Sequence, residues 1–174
     1  MNDETVQAVA DQTEQLVVFE LAGELYGVNI STVKTIVRMQ EITNIPRTPD
    51  FVEGVINLRG SIIPVIDLRK RFALPIGENT KASRIVVVLA VDQTIGMVVD
   101  AVAETLKLHA DAIEPPSPVV ASIDSEFLRG VGKDGDRLVV LLDLDKILDA
   151  RQFETLAKVE SRAKQAAEKQ AKAA

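Results

Sequence analysis

Cysteine is absent from the 174 residues, tryptophan is absent too, and histidine occurs once, as His109. Without Cys there can be no disulfide, Cys-ligated zinc, iron–sulfur cluster or thiolate nucleophile. A Ser-His-Asp triad would have to run through His109, which lies between Leu108 and Ala110 with few partners nearby in sequence; a surface or structural His is the simpler expectation. The aromatics are five Phe and Tyr26, few for stacking on bases or sugars, and a net charge of -6 with a pI near 4.9 repels a phosphate backbone. No nucleic-acid partner is expected. The phosphate-loop, dinucleotide, nucleophile-elbow and zinc-protease motifs are all missing, so no cofactor, metal or catalytic residue is called for. Residues 1–15 carry Asp3, Glu4, Asp11 and Glu14 with no Lys or Arg, unlike a signal peptide, and apolar runs such as Ile85–Val91 fall far short of a bilayer span. A soluble, cytoplasmic protein without direct membrane insertion is expected.

What is present is β-branched. Short runs at Leu16–Leu21, Leu25–Ile30, Ile62–Ile66, Arg84–Val91, Thr94–Val99 and Leu138–Leu142 are broken by Gly, Asn, Asp and Pro. Several are apolar on both parities, as strands buried on two faces would be, which suits small barrels packed together. Thr48-Pro49 is read as opening a short helical turn that Gly54 closes, and Asp67 as capping Leu68–Phe72. The segment Glu114-Pro115-Pro116-Ser117-Pro118 reads as an ordered crossing or hinge. Residues 1–15 form a mobile acidic arm on this reading, 16–148 a single domain, and 149–174 a helix with six Lys/Arg, four Asp/Glu and eight Ala. Phe153, Leu156 and Ala157 are spaced to share a face, and after Val159 only Ala is left to bury. A docked first half and a fraying end follow.

The chain also repeats itself. FVEGVINLRGSIIPVIDLRKRF from Phe51 aligns without gaps on FLRGVGKDGDRLVVLLDLDKIL from Phe127, and Tyr26-Gly27-Val28 with Val33 matches Ile95-Gly96-Met97 with Val102. Two intertwined barrel halves, about 16–80 and 81–148, are expected, each with two strands, a crossing, a short helix, a hairpin and an Asp-capped turn. The hairpin loops differ: Lys133-Asp134-Gly135-Asp136 is a minimal tight turn, whereas Asn57-Leu58-Arg59-Gly60 places an arginine that no turn requires. That contrast points to a contact role for Arg59, whose planar fork suits a carboxylate or carbonyl. Arg69-Lys70-Arg71 reads as a solvated basic face, with a basic rim contacting an acidic partner as the functional alternative. Two repeated Asp residues, Asp67 and Asp143, have the outline of a proteolytic dyad, but their bulky and charged neighbours argue for helix capping instead.

With these residues in view, LVVFELAGELYGVNI, ITNIPRTPDFVEGVINLRGSIIPVIDLRKRF, IGMVVDAV and GDRLVVLLDLDKIL resemble the CheW family of chemotaxis coupling proteins over essentially Gln15–Leu148. The resemblance implies a mainly β fold of two five-stranded SH3-like barrels, no enzymatic activity and no cofactor. It implies an adaptor that joins chemoreceptor cytoplasmic tips to the regulatory domain of the histidine kinase CheA. On matching positions, the receptor groove between the barrels would include Val33, Gly54, Arg59, Ile85 and Val102, with Thr35 standing where many members carry an acidic residue. Kinase contacts would fall on outer faces at Ile62 and Val119. Glu114 replaces a basic residue of the family.

Overall fold

The structure, a computed structural model, describes residues 12–116 and 123–173. Its strands are β1 (Thr13–Leu21), β2 (Glu24–Asn29), β3 (Val33–Arg38), β4 (Val52–Leu58), β5 (Ser61–Asp67), β6 (Arg84–Ala90), β7 (Gln93–Val99), β8 (Ala101–His109), β9 (Ile113–Glu114), β10 (Leu128–Asp134) and β11 (Arg137–Leu142). A four-residue helix, α1 (Leu68–Arg71), follows β5, and a long helix, α2 (Ala150–Ala173), ends the described chain. The strands form two sheets, in the orders β8-β1-β2-β11-β10-β9 and β3-β6-β7-β5-β4. The expected pair of β units is therefore present. One sheet has a sixth, two-residue strand, β9, which continues the path of β8 after a 3-10 turn.

Alternation along each strand explains why so many are apolar on both parities. In β6, Ile85 and Val87 point into a small core with Ile56, Ile63, Val65 and Val98, while Val86 and Val88 point into a larger core between the sheets. In β1, Leu16 and Val18 join Leu108, Val139 and Leu141, while Val17, Phe19 and Leu21 join the same central core. Each unit thus has its own interior, and a third apolar layer joins the two. β3 and β8 escaped the strand reading because they are edge strands with largely exposed, polar-interrupted sequences, Val-Lys-Thr-Ile-Val-Arg and Ala-Val-Ala-Glu-Thr-Leu-Lys-Leu-His.

The repeat is reproduced in the register. β2 pairs in parallel with β11 so that Gly27 faces Leu141, and β7 pairs in parallel with β5 so that Gly96 faces Val65. These are the matched residues of the two sequence halves. The halves are nevertheless not the sheets: the hairpin β1–β2 joins the strands of 101–142, and the hairpin β6–β7 joins β3, β4 and β5. Each repeat lends its first hairpin to the other, which ties the two units into one domain.

Three local expectations change. Residues 48–51 make a turn without helix, and Gly54 lies within β4 instead of closing a helix. Its φ of 139° and the register shift after Val52 let the strand meet the backbone of Thr43, where the bridge Thr43–Val55 forms. The basic run of α1 is not a solvated face. Arg69 is buried within 3.3 Å of Asp100, Lys70 pairs with Glu53 at 2.7 Å, and the Arg71 guanidinium lies over the rings of Phe51 and Phe127 while its Nε donates to Ile147 O at 2.6 Å. A helix wedged at the seam between the sheets has no free side from which to solvate three cations. Asp67 does cap it, its carboxylate accepting from Arg69 N at 2.9 Å, and Asp143 accepts from Asp145 N in the matching turn.

The terminal helix opens with a reciprocal cap: Gln152 N donates to Asp149, and Asp149 N donates to the Gln152 side chain, both at 2.8 Å. Phe153 and Leu156 enter the central core, and Val159 and Ala163 pack with Val55, Ile45 and Ile62. Ala157 is exposed, so the buried face runs through 153, 156, 159 and 163. Docking extends one turn further than the Val159 limit, because Ala163 is small enough to sit flat on β4 and β5.

Candidate functional site

The β4–β5 hairpin supplies the most distinctive residue. Leu58 pairs with Ser61, so Arg59 and Gly60 form a two-residue turn with φ of 53° and 88°. Both values lie in the left-handed region, as the tight turn favoured by strand twist requires. Glycine adopts it freely; an arginine does so at a cost of about 1–2 kcal/mol. In the other half the equivalent position is Gly135, with φ 60° and open space around it. Asn57 supports the turn, its side chain accepting from Gly60 N at 2.8 Å. The guanidinium of Arg59 is exposed and makes no hydrogen bond or ion pair among the described residues.

Below this tip lies an open groove of about 580 Å³, walled by β3, the hairpin and the terminal helix, and lined among others by Thr35, Val37, Leu58, Arg59, Ile62 and Val87. Lys34 leans across its rim and donates to Thr94 Oγ1 at 2.7 Å. Glu160 and Lys164 of α2 line the opposite wall and pair with each other at 2.8 Å. The groove is therefore apolar at its floor and carries cations at its edge. The helix residues and Lys34 were missed in the sequence because nothing local in them marks a site; only the docking of α2 brings them there.

The structure separates the sequence-derived groove residues into three groups. Thr35 and Arg59 share the groove just described. Val33 and Val102 do not line it; they are half-buried on β3 and β8, paired with Val88 and Phe19, and both pack with Phe51 against the central core. Gly54 and Ile85 face inward. Ile85 is 0% exposed, and a Cβ on Gly54 would lie 2.0 Å from Thr43 O. The close backbone approach that Gly54 permits is thus to the chain's own residues 43–44. The repeat mate Gly130 does the same, with Glu114 O 2.5 Å from an added Cβ.

Of the outer-face residues, Val119 lies outside the described residues. Ile62 is half-buried because Val159 and Ala163 of α2 pack over the cluster it joins. Glu114, the acidic replacement, pairs with Lys133 of the adjacent strand at 2.8 Å. His109 is exposed, 3.6 Å from Asp111, and among the described residues no group of three candidate metal ligands forms.

Two SH3-like β units tied by exchanged hairpins, with an apolar groove and a presented arginine, define a recognition scaffold. Residues 15–152 match the family model described as the CheW-like domain, and the chain belongs to the CheW family of chemotaxis scaffold proteins. It is 38% identical to the chemotaxis protein CheW of Klebsiella aerogenes over 152 residues, covering 86% of this chain and 91% of that one. Identity to the chemotaxis protein CheW of Treponema pallidum is 36% over 156 residues, again 86% and 91%. The crystal structure of the scaffolding protein TtCheW from Thermoanaerobacter tengcongensis superposes with a TM-score of 0.75 at 44% identity, covering 80% of this chain and 94% of that one. Among the described residues no helix is long and apolar enough to cross a membrane.

Proposed function

We propose that the chain is a non-enzymatic coupling protein in the cytoplasm that joins chemoreceptor tips to the regulatory domain of the histidine kinase CheA, holding each partner on a different face. The observation that carries this reading is the asymmetry of two barrels built alike: one hairpin tip is a minimal glycine turn, and the other holds Arg59 in a costly conformation with its guanidinium unspent. An exposed, preset fork is suited to fixing the orientation of a helix laid in the groove, where Thr35, Val37 and Leu58 supply contact area. Val33 and Val102 extend the receptor surface along the seam, and Gly54 and Ile85 set the backbone beneath it. The kinase arm uses the outer faces around Ile62 and Val119, Ile62 marking the edge where that face meets the groove.

Titration with a receptor-tip fragment tests the reading. Arg59→Ala and Arg59→Gly should keep the fold and weaken tip binding about tenfold or more, the loss of a well-placed arginine contact. Unchanged affinity in both variants would remove Arg59 from the site.

A further inference from the structure

The distal half of the terminal helix lies on the face assigned above to the kinase, and we propose that it is a built-in cover that the kinase regulatory domain must displace. The inference rests on that assignment and deepens it. Val159 is 0% exposed and Ala163 8%, both packed with Val55, Ile45 and Ile62, so the seated helix covers one side of Ile62 and leaves the other on the groove. The helix is held unevenly. Its first turns are fixed by the Asp149–Gln152 cap and by Phe153 and Leu156 in the central core, whereas beyond them contact narrows to Val159 and then Ala163. Residues 164–172 are exposed throughout. The one hydrogen bond tying this stretch to the loop before β4 is the long 3.4 Å contact from Arg162 to Pro46 O. A helix rooted at one end and lightly held at the other can release its distal turns without disturbing the domain core. The partner-accessible fraction of the Ile62 face then scales the apparent affinity.

The polar side of the helix fits this role. Arg47, Lys158 and Arg162 line a second open groove on the outer side of the helix, so the seated cover presents a basic, hydrated surface where the bare sheet would present Ile62 and Val55. Seated, it shields apolar strand surface from unspecific contact. Released, it frees a compact aliphatic patch for one partner.

The test uses the full chain and isolated CheA regulatory domain. Ala163→Glu places a charge in the distal contact and leaves Phe153 and Leu156 in place; the domain core is checked by thermal melting. Binding should tighten about tenfold if the cover is seated most of the time. Hydrogen exchange on the unaltered chain gives an independent reading: on kinase binding, amides of 158–172 should exchange faster while those of 153–156 stay protected. Equal or weaker binding by a folded Ala163→Glu chain, or increased protection of 158–172 in the complex, overturns the cover while leaving the coupling reading intact. No complex with either chain overturns the coupling reading, and the cover with it.

Discussion

At the scale of the residue, two backbone positions divide between architecture and recognition. Gly54 belongs to architecture. With φ 139° and a Cβ site 2.0 Å from Thr43 O, Gly54→Ala should destabilise by about 2–4 kcal/mol and Gly54→Val should not fold normally, as chemical denaturation would show. The approach this glycine permits is to the chain's own Thr43, eleven residues upstream, a contact that no local pattern announces. Arg59 belongs to recognition: Arg59→Gly should leave stability unchanged or raise it by about 1 kcal/mol while binding falls. Two buried or paired groups set the alkaline limit. Burial, then Glu24, pushes the Tyr26 phenol well above its ordinary range, and the hydrogen bond to Glu53 raises Lys70. Both groups have folded pKa values above their unfolded ones. Their stabilising contribution is whole below pH about 10 and is lost as pH climbs through the raised values. Melting temperature should therefore hold through neutral pH and drop above about 10, less so in Tyr26→Phe.

Among the elements, the short helix α1 and the terminal helix carry the packing between units. Arg71 bridges them, stacked between Phe51 of one half and Phe127 of the other and hydrogen-bonded to Ile147 O. Arg71→Lys keeps the charge but loses the planar stack, and a loss of about 1–2 kcal/mol in denaturant unfolding is expected. Phe153→Ala empties a central-core site and should cost about 3–5 kcal/mol, whereas changes at 166–172 should be silent for stability. The hairpins show how the same element is adapted twice. Gly60 and Gly135 both have open space for a Cβ, so their constraint is conformational, set by φ alone.

For the molecule as a whole, much was legible in sequence because duplication leaves residues that can be compared. The pairs Gly27/Gly96 and Gly54/Gly130 sit in equivalent registers, the backbone N–H groups of Asp67 and Asp143 donate to the matched carbonyls of Phe51 and Phe127, and apolar runs on both parities foretold the three-layer core. The exchange of hairpins was not legible, since the two partners for β2 and β7, β11 and β5, are themselves matched residues and either pairing satisfies the pattern. Nor was the partition of the groove residues: Val33, Ile85 and Thr35 are close in type, and only strand parity and the edge position of β3 decide that Thr35 is outside and Ile85 inside. The fold that results sets the groove under Arg59 beside the strand surface beneath the terminal helix, the two meeting at Ile62. The most direct measurement is size-exclusion chromatography of the chain with receptor-tip fragment and CheA regulatory domain together. The account predicts a ternary complex that Arg59→Ala reduces to the binary complex with the kinase domain; mutually exclusive binding of the two partners, or loss of both on that substitution, would contradict it.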